Sequence, residues 1–139
     1  MLTRFRLALV CALISFGFVT GHAEARVTYS GGSSAFTNRG CLTASTRALL
    51  SRIEGRFGTV QIVSTCRPGA TIRNTGKRSK HASGQAVDFI APSGKKGDIV
   101  KWLIANHRGG GTMTYPGMNH IHVDVGYRFV SLAGRRMRA

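Results

Sequence analysis

The sequence predicts an α+β domain: a small, mostly antiparallel sheet with flanking helices. Two observations carry this reading. Two segments repeat apolar residues at helical spacing, and four short stretches, mostly rich in β-branched or apolar residues, are separated by Gly, Pro or Ser. Their order is helix, strand, strand, helix, then strands, and no internal repeat interrupts it. The 139 residues suffice for one domain. A 42% hydrophobic content excludes a disordered basic tail, and a mean hydropathy of -0.02 excludes a multi-span membrane protein.

Taken in order, residues 1–25 read as a cleaved signal peptide. Arg4 and Arg6 precede an apolar run from Leu7 to Thr20, and Ala23-Glu24-Ala25 supplies the small-x-small cleavage pattern, so the mature chain is expected to start at Arg26 and to be periplasmic or secreted. That run of about 14 residues falls short of the roughly 20 that span a bilayer. No transmembrane segment is expected after cleavage. Residues 26–40, rich in Ser, Gly and Thr, read as a flexible lead-in, and 41–130 as the folded domain.

Within that domain, Thr43 to Phe57 places Leu49, Leu50, Ile53 and Phe57 on one helical face, with Thr43 or Ser45 as N-cap and Gly58 as stop. Thr59 to Thr65 reads as a short buried strand, Pro68 to Lys80 as a breaker-rich loop, and Ala86 to Ala91 as a second strand. A helix is expected from Lys95 to His107, capped by Ser93 and ended by Gly109-Gly110-Gly111. Thr112 to Tyr115 forms a short strand, Pro116-Gly117 a turn, and His120 to Val125 a strand of strict alternation. Residues 131–139 read as a frayed basic tail.

The chain carries a net charge of +15, which leader removal lowers only to +14. The basic residues are dispersed, with Lys77, Arg78 and Lys80 the one tight group, and nothing spells a recognition helix. In an exported protein the expected partner is therefore peptidoglycan peptide or another anionic envelope polymer rather than nucleic acid, and the chain is expected to act as a monomer. Cys41 and Cys66, the two mature cysteines, are read as a disulfide in an oxidising compartment. Two free thiols or a thiolate metal site stand as the alternative, although no CxxC spacing supports the latter.

The chemistry concentrates in two segments. In Asn119 to Gly126, the period-2 rule sends Ile121, Val123 and Val125 to one strand face and His120, His122 and Asp124 to the other. In Ser79 to Phe89, His81 and Asp88 are seven residues apart and converge only if Ser83-Gly84 bends the chain. Asp88 lies among apolar strand residues, where an unpaired carboxylate would cost several kcal/mol and a bound cation would remove that cost. Two imidazoles and a carboxylate suit Zn²⁺ and leave a position open for water.

Ser79-x-His81-x-x-Gly84-x-Ala86-x-Asp88 followed by His120-x-His122 resembles the zinc D-Ala-D-Ala carboxypeptidases of the M15 type and their envelope relatives, which share a fold with the hedgehog signalling domain. Ser64-Thr65-Cys66-Arg67-Pro68 resembles the strand-end segment of that family. The resemblance spans roughly Cys41 to Gly126. It implies His81, Asp88 and His122 as zinc ligands, Arg67 as the holder of a substrate carboxylate, and His120 as a catalytic helper. It also implies a D-alanyl carboxypeptidase-like activity on cell-wall peptides. The family's general base stands three residues before the last ligand, and here that position is Asn119, an amide without usable basicity. Three readings follow: His120 or Asp124 takes the catalytic role, metal-bound hydroxide acts alone, or the protein binds without cleaving. Asp124 also suits the orienting of a ligand histidine. Two other classes stand beside these, a cationic polymer-binding protein and an iron oxygenase built on His122 and Asp124; the latter needs a further histidine downstream, and none follows His122.

Overall fold

The computed structural model describes residues 37–73, 75–133 and 135–137. The expected leader and residues 26–36 of the lead-in lie outside the described residues. Helix α1, Ala44–Phe57, begins where Thr43 Oγ1 accepts from the Thr46 amide and stops at Gly58, whose φ of 95° suits glycine. Strands β1 (Gln61–Ser64) and β2 (Ala86–Ile90) follow, then helix α2 (Lys96–Asn106) and strands β3 (Gly111–Thr114), β4 (His120–Asp124), β5 (Phe129–Leu132) and β6 (Arg135–Met137). The six strands form one sheet in the order β1-β2-β4-β3-β5-β6. Every pair is antiparallel except β3 with β5. The α+β expectation holds.

The register decides what shares a face. Val87 pairs with Val123 and Phe89 with Ile121, and these four join Leu49, Leu50 and Ile53 of α1 and Ile99 and Leu103 of α2 in one buried core. By the alternation of a strand, Asp88 and its partner His122, and Ala86 and its partner Asp124, face the other way. The apolar residues of β2 and β4 thus fix the chemical face by occupying its opposite.

Four expectations need correction. The strand expected from Thr59 to Thr65 is shorter and lies at the sheet edge, pairing only with β2, so its residues alternate between wet and buried rather than being buried throughout. Ser93 does not cap α2, because a turn closed by the Lys95 amide on the Pro92 carbonyl consumes it; the cap position is Lys95, without a side-chain hydrogen bond. Gly111 does not merely end that helix but opens β3. Arg135–Met137, read as frayed tail, pairs with β5 as β6. At the other boundary Arg39, placed in the lead-in, is docked through both terminal nitrogens onto Glu54, at 2.7 and 2.8 Å. Cys41 and Cys66 form the disulfide, with Cα atoms 6.1 Å apart.

Candidate metal centre

Three chain segments meet at the site. His81 sits in a 3-10 turn, Lys80–Ser83, capped by Ser79 Oγ and ended by Gly84 in the left-handed conformation. That glycine is required twice over: its φ is +67°, and a Cβ there would stand 2.4 Å from the Cys41 carbonyl oxygen and 3.3 Å from Cys66 Sγ. The bend anticipated at Ser83-Gly84 thus exists, held against the disulfide. It carries His81 Nε2 to 3.2 Å from Asp88 Oδ2. From β4, His122 places Nδ1 at 2.7 Å from Asp88 Oδ1 and 3.2 Å from His81 Nε2. One ligand atom from each of His81, Asp88 and His122 lies within 4.8 Å of the others, and all three residues are buried.

The remaining ring nitrogens are engaged, which fixes what each histidine offers. His81 Nδ1 donates to the Thr65 carbonyl at 2.5 Å, leaving Nε2 as the ring atom that faces Asp88 and the site. His122 Nε2 lies 3.4 Å from Asp124 Oδ2, and Asp124 Oδ1 accepts from the Gly111 amide at 2.9 Å. The Asp124 carbonyl oxygen in turn pairs with His107 Nε2 at 2.7 Å. Glycine at 110 and 111 makes this possible. A Cβ on Gly110 would fall 1.7 Å from the Asp124 carbonyl oxygen, and one on Gly111 2.7 Å from Asp124 Oδ2. The glycine run read as a helix stop is therefore also the seat of the Asp124 carboxylate.

The polar face of β4 is covered rather than wet, with Asp88 and His122 each 7% exposed and Asp124 4%. Burial pushes the Asp88 carboxyl up, but the hydrogen bonds from His122 and His81 outweigh it and hold the group well below its usual range. Burial likewise opposes charge on His122, yet its bonds to Asp124 and Asp88 raise it to about 9. Both shifts favour positive charge beside Asp88, which is where a cation would suit the cluster. Ser64 Oγ, across the β1–β2 ladder from Asp88, is buried without a hydrogen-bond partner among the described residues. The donor set, two imidazole nitrogens and a carboxylate with engaged outer partners, fits a divalent metal.

The other expected site residues are distributed around this cluster. Arg67 stands at its mouth, 44% exposed, with one guanidinium nitrogen 4.0 Å from Asp88 Oδ2. Cys66 beside it is tied to Cys41, and the Arg67 amide bonds the His81 carbonyl. His120 is partly buried and packs against Tyr115, ring centroids 4.9 Å apart. Asp124 lies behind His122, on the ring edge away from Asp88. Asn119 is exposed. Lys80 is held by Gln85, and Thr71 and Arg78 form a bridge within the loop, so that basic stretch has structure. The sequence reading gave no role to Tyr115, His107 or Thr65. His107 and Thr65 act on the site through a backbone carbonyl or by offering one, which side-chain motifs do not reveal.

A family model described as Peptidase M15 matches residues 20–124. Among curated proteins, the peptidoglycan L,D-endopeptidases MepK of Escherichia coli strain K12 and of Shigella flexneri are each 34% identical to this chain over 87 residues, covering 55% of this chain and 47% of theirs. The chain thus spans about half the length of the curated relatives it matches. No solved structure matches it. Among the described residues, no helix is long and apolar enough to cross a membrane.

Proposed function

Because this chain belongs to the peptidase M15 family, we propose that it is a zinc-dependent peptidase acting on the peptide bonds of peptidoglycan. The observation that carries the reading is the buried convergence of His81, Asp88 and His122. His81 Nε2, the Asp88 carboxylate and His122 Nδ1 would hold the metal. Once bound, zinc supplies Lewis acidity toward a carbonyl oxygen and lowers the pKa of a coordinated water to about 7. The protein's own groups do the rest. Arg67 pairs with a substrate carboxylate and sets its register, Asp124 fixes the His122 ring, and His120 moves a proton at the edge of the site. Asn119 offers a hydrogen bond but no basicity.

The anion held by Arg67 decides the bond. A terminal D-alanyl carboxylate in that position gives a carboxypeptidase; a carboxylate of a cross-linked stem peptide gives an endopeptidase, the reading favoured by the activity named for the relatives. The residues of the site all come from one chain, which supports action as a monomer, and the leader-like segment supports work in the periplasm or outside the cell.

The test combines metal analysis with muropeptide digestion. Wild type is expected to carry close to one zinc per chain and to release D-alanine or to split cross-linked dimers, and His122→Ala to lose both properties. Stoichiometric zinc with every muropeptide unchanged would overturn the hydrolase and leave a wall-binding module.

A further inference from the structure

Tyr115 has no part in the site so far. It follows β3, whose register with β4 pairs Met113 with His122 and Thr114 with Ile121. One step further along the ladder brings Tyr115 opposite His120, on the sheet face that carries the metal cluster, and the two rings stand 4.9 Å apart at 46°. Pro116 keeps Tyr115 extended, since a residue before proline avoids the helical region. The turn closes with the Met118 amide on the Tyr115 carbonyl. The ring thus packs against His120 while remaining partly exposed.

Its polar end is unengaged: among the described residues the hydroxyl has no hydrogen-bond partner. Burial, then the negative charge of Asp88, opposes its ionisation, Arg67 favours it and Asp124 opposes it, so the phenol senses the cluster and the arginine at the mouth together. Pushed up to about 12, it is an O–H donor throughout the physiological range.

We propose that Tyr115 is a catalytic residue whose hydroxyl donates a hydrogen bond to the carbonyl oxygen of the scissile peptide and holds that oxygen as it becomes negatively charged. This rests on the peptidase reading above. When water adds to the carbonyl carbon, the C=O electron pair moves onto oxygen. The proton that water gives up passes to His120, and when the C=O bond re-forms the C–N bond breaks and that proton goes to the departing amine nitrogen. Tyr115 meets the charge on oxygen with its O–H bond and transfers no proton, so the step balances without a further reactant. A preorganised donor of this kind acts on the transition state more than on the ground state.

The test pairs two variants with two readouts on the zinc-loaded protein. Tyr115→Phe keeps the ring against His120 and removes only the hydroxyl; Tyr115→Leu removes both. Tyr115→Phe is expected to lower kcat about 100-fold or more, with KM within about 3-fold and zinc content unchanged. It should also weaken a phosphinate pseudopeptide, a mimic of the tetrahedral intermediate, far more than the cleaved product peptide. Wild-type kcat and phosphinate affinity in Tyr115→Phe, with loss only in Tyr115→Leu, would overturn the proposal and reduce Tyr115 to a support for His120. A wild-type protein that neither cleaves muropeptides nor binds the phosphinate would overturn the peptidase reading and this proposal with it.

Discussion

His122 Nδ1 stands 2.7 Å from Asp88 Oδ1 across the β2–β4 ladder, so two neighbouring strands are joined by a buried ion pair as well as by backbone bonds. In the metal-free protein this pair links stability to pH. His122 is raised from 6.5 to about 9, so its contribution is complete below pH 6.5 and is lost as pH rises through 9. Asp88 is lowered, so its contribution is present above about pH 4 and is lost as pH falls below that. With chelator present, wild-type stability should therefore be highest between about pH 4 and 6.5 and decline toward pH 9 by on the order of 3 kcal/mol at most, seen as a falling Tm. Melts of Asp88→Asn should show a shallower slope over that alkaline window. An equal slope would place the pH dependence elsewhere.

Asp124 lies on the far edge of the His122 ring from Asp88. With Oδ1 on the Gly111 amide and Oδ2 toward His122 Nε2, its replacement by Asn leaves every proposed ligand in place but alters the hydrogen bond that sets the ring. Zinc affinity in Asp124→Asn should fall about 10- to 100-fold by competition with a chromophoric chelator, whereas His122→Ala should abolish stoichiometric binding. An Asp124→Asn protein with native zinc affinity and no activity would instead assign Asp124 a direct part in the reaction.

The disulfide constrains the site as well as the chain. Cys41–Cys66 closes a separation of 25 residues, and the Gly84 bend that delivers His81 packs against both of its cysteines. Cys41→Ser with Cys66→Ser should lower stability by about 3 kcal/mol, read from denaturant melts. Because Arg67 follows Cys66 directly, the same double variant should also lose peptidase activity at low temperature, where it remains folded.

Much of this was legible before the structure because it rests on short-range rules. The alternation of His120 to Val125 does separate a core face from a chemical one, and Gly84 does turn the chain so that His81 meets Asp88. Side-chain motifs show donors but not what covers them. The burial of His122 and Asp124 comes from segments distant in sequence, so a face that could have been wet is dry. Strands β5 and β6 escaped notice because three or four residues carry no usable period; β5 is set by its pairing with β3, distant in the chain, and β6 then pairs with β5. Ser93 failed as a cap because Gly94, with φ +71°, favoured a turn first.

Arg67 provides the sharpest separation of binding from metal chemistry. Its guanidinium is 44% exposed and only 4.0 Å from Asp88 Oδ2, so in the free protein it faces a carboxylate that the metal would claim. A bound metal would therefore leave the guanidinium available, and in the proposed reaction it would meet a substrate carboxylate through two parallel N–H donors. Arg67→Lys keeps the charge and loses that fork. It should retain zinc and Tm while raising KM for muropeptides roughly 10-fold, and Arg67→Ala should raise it further, consistent with the loss of a charged hydrogen bond of about 1.5–3 kcal/mol. Amidating the substrate carboxylate should cost wild type about as much as Arg67→Ala and cost that variant little more. If amidation harmed both equally, the carboxylate would be bound elsewhere and Arg67 would be only part of the basic surface.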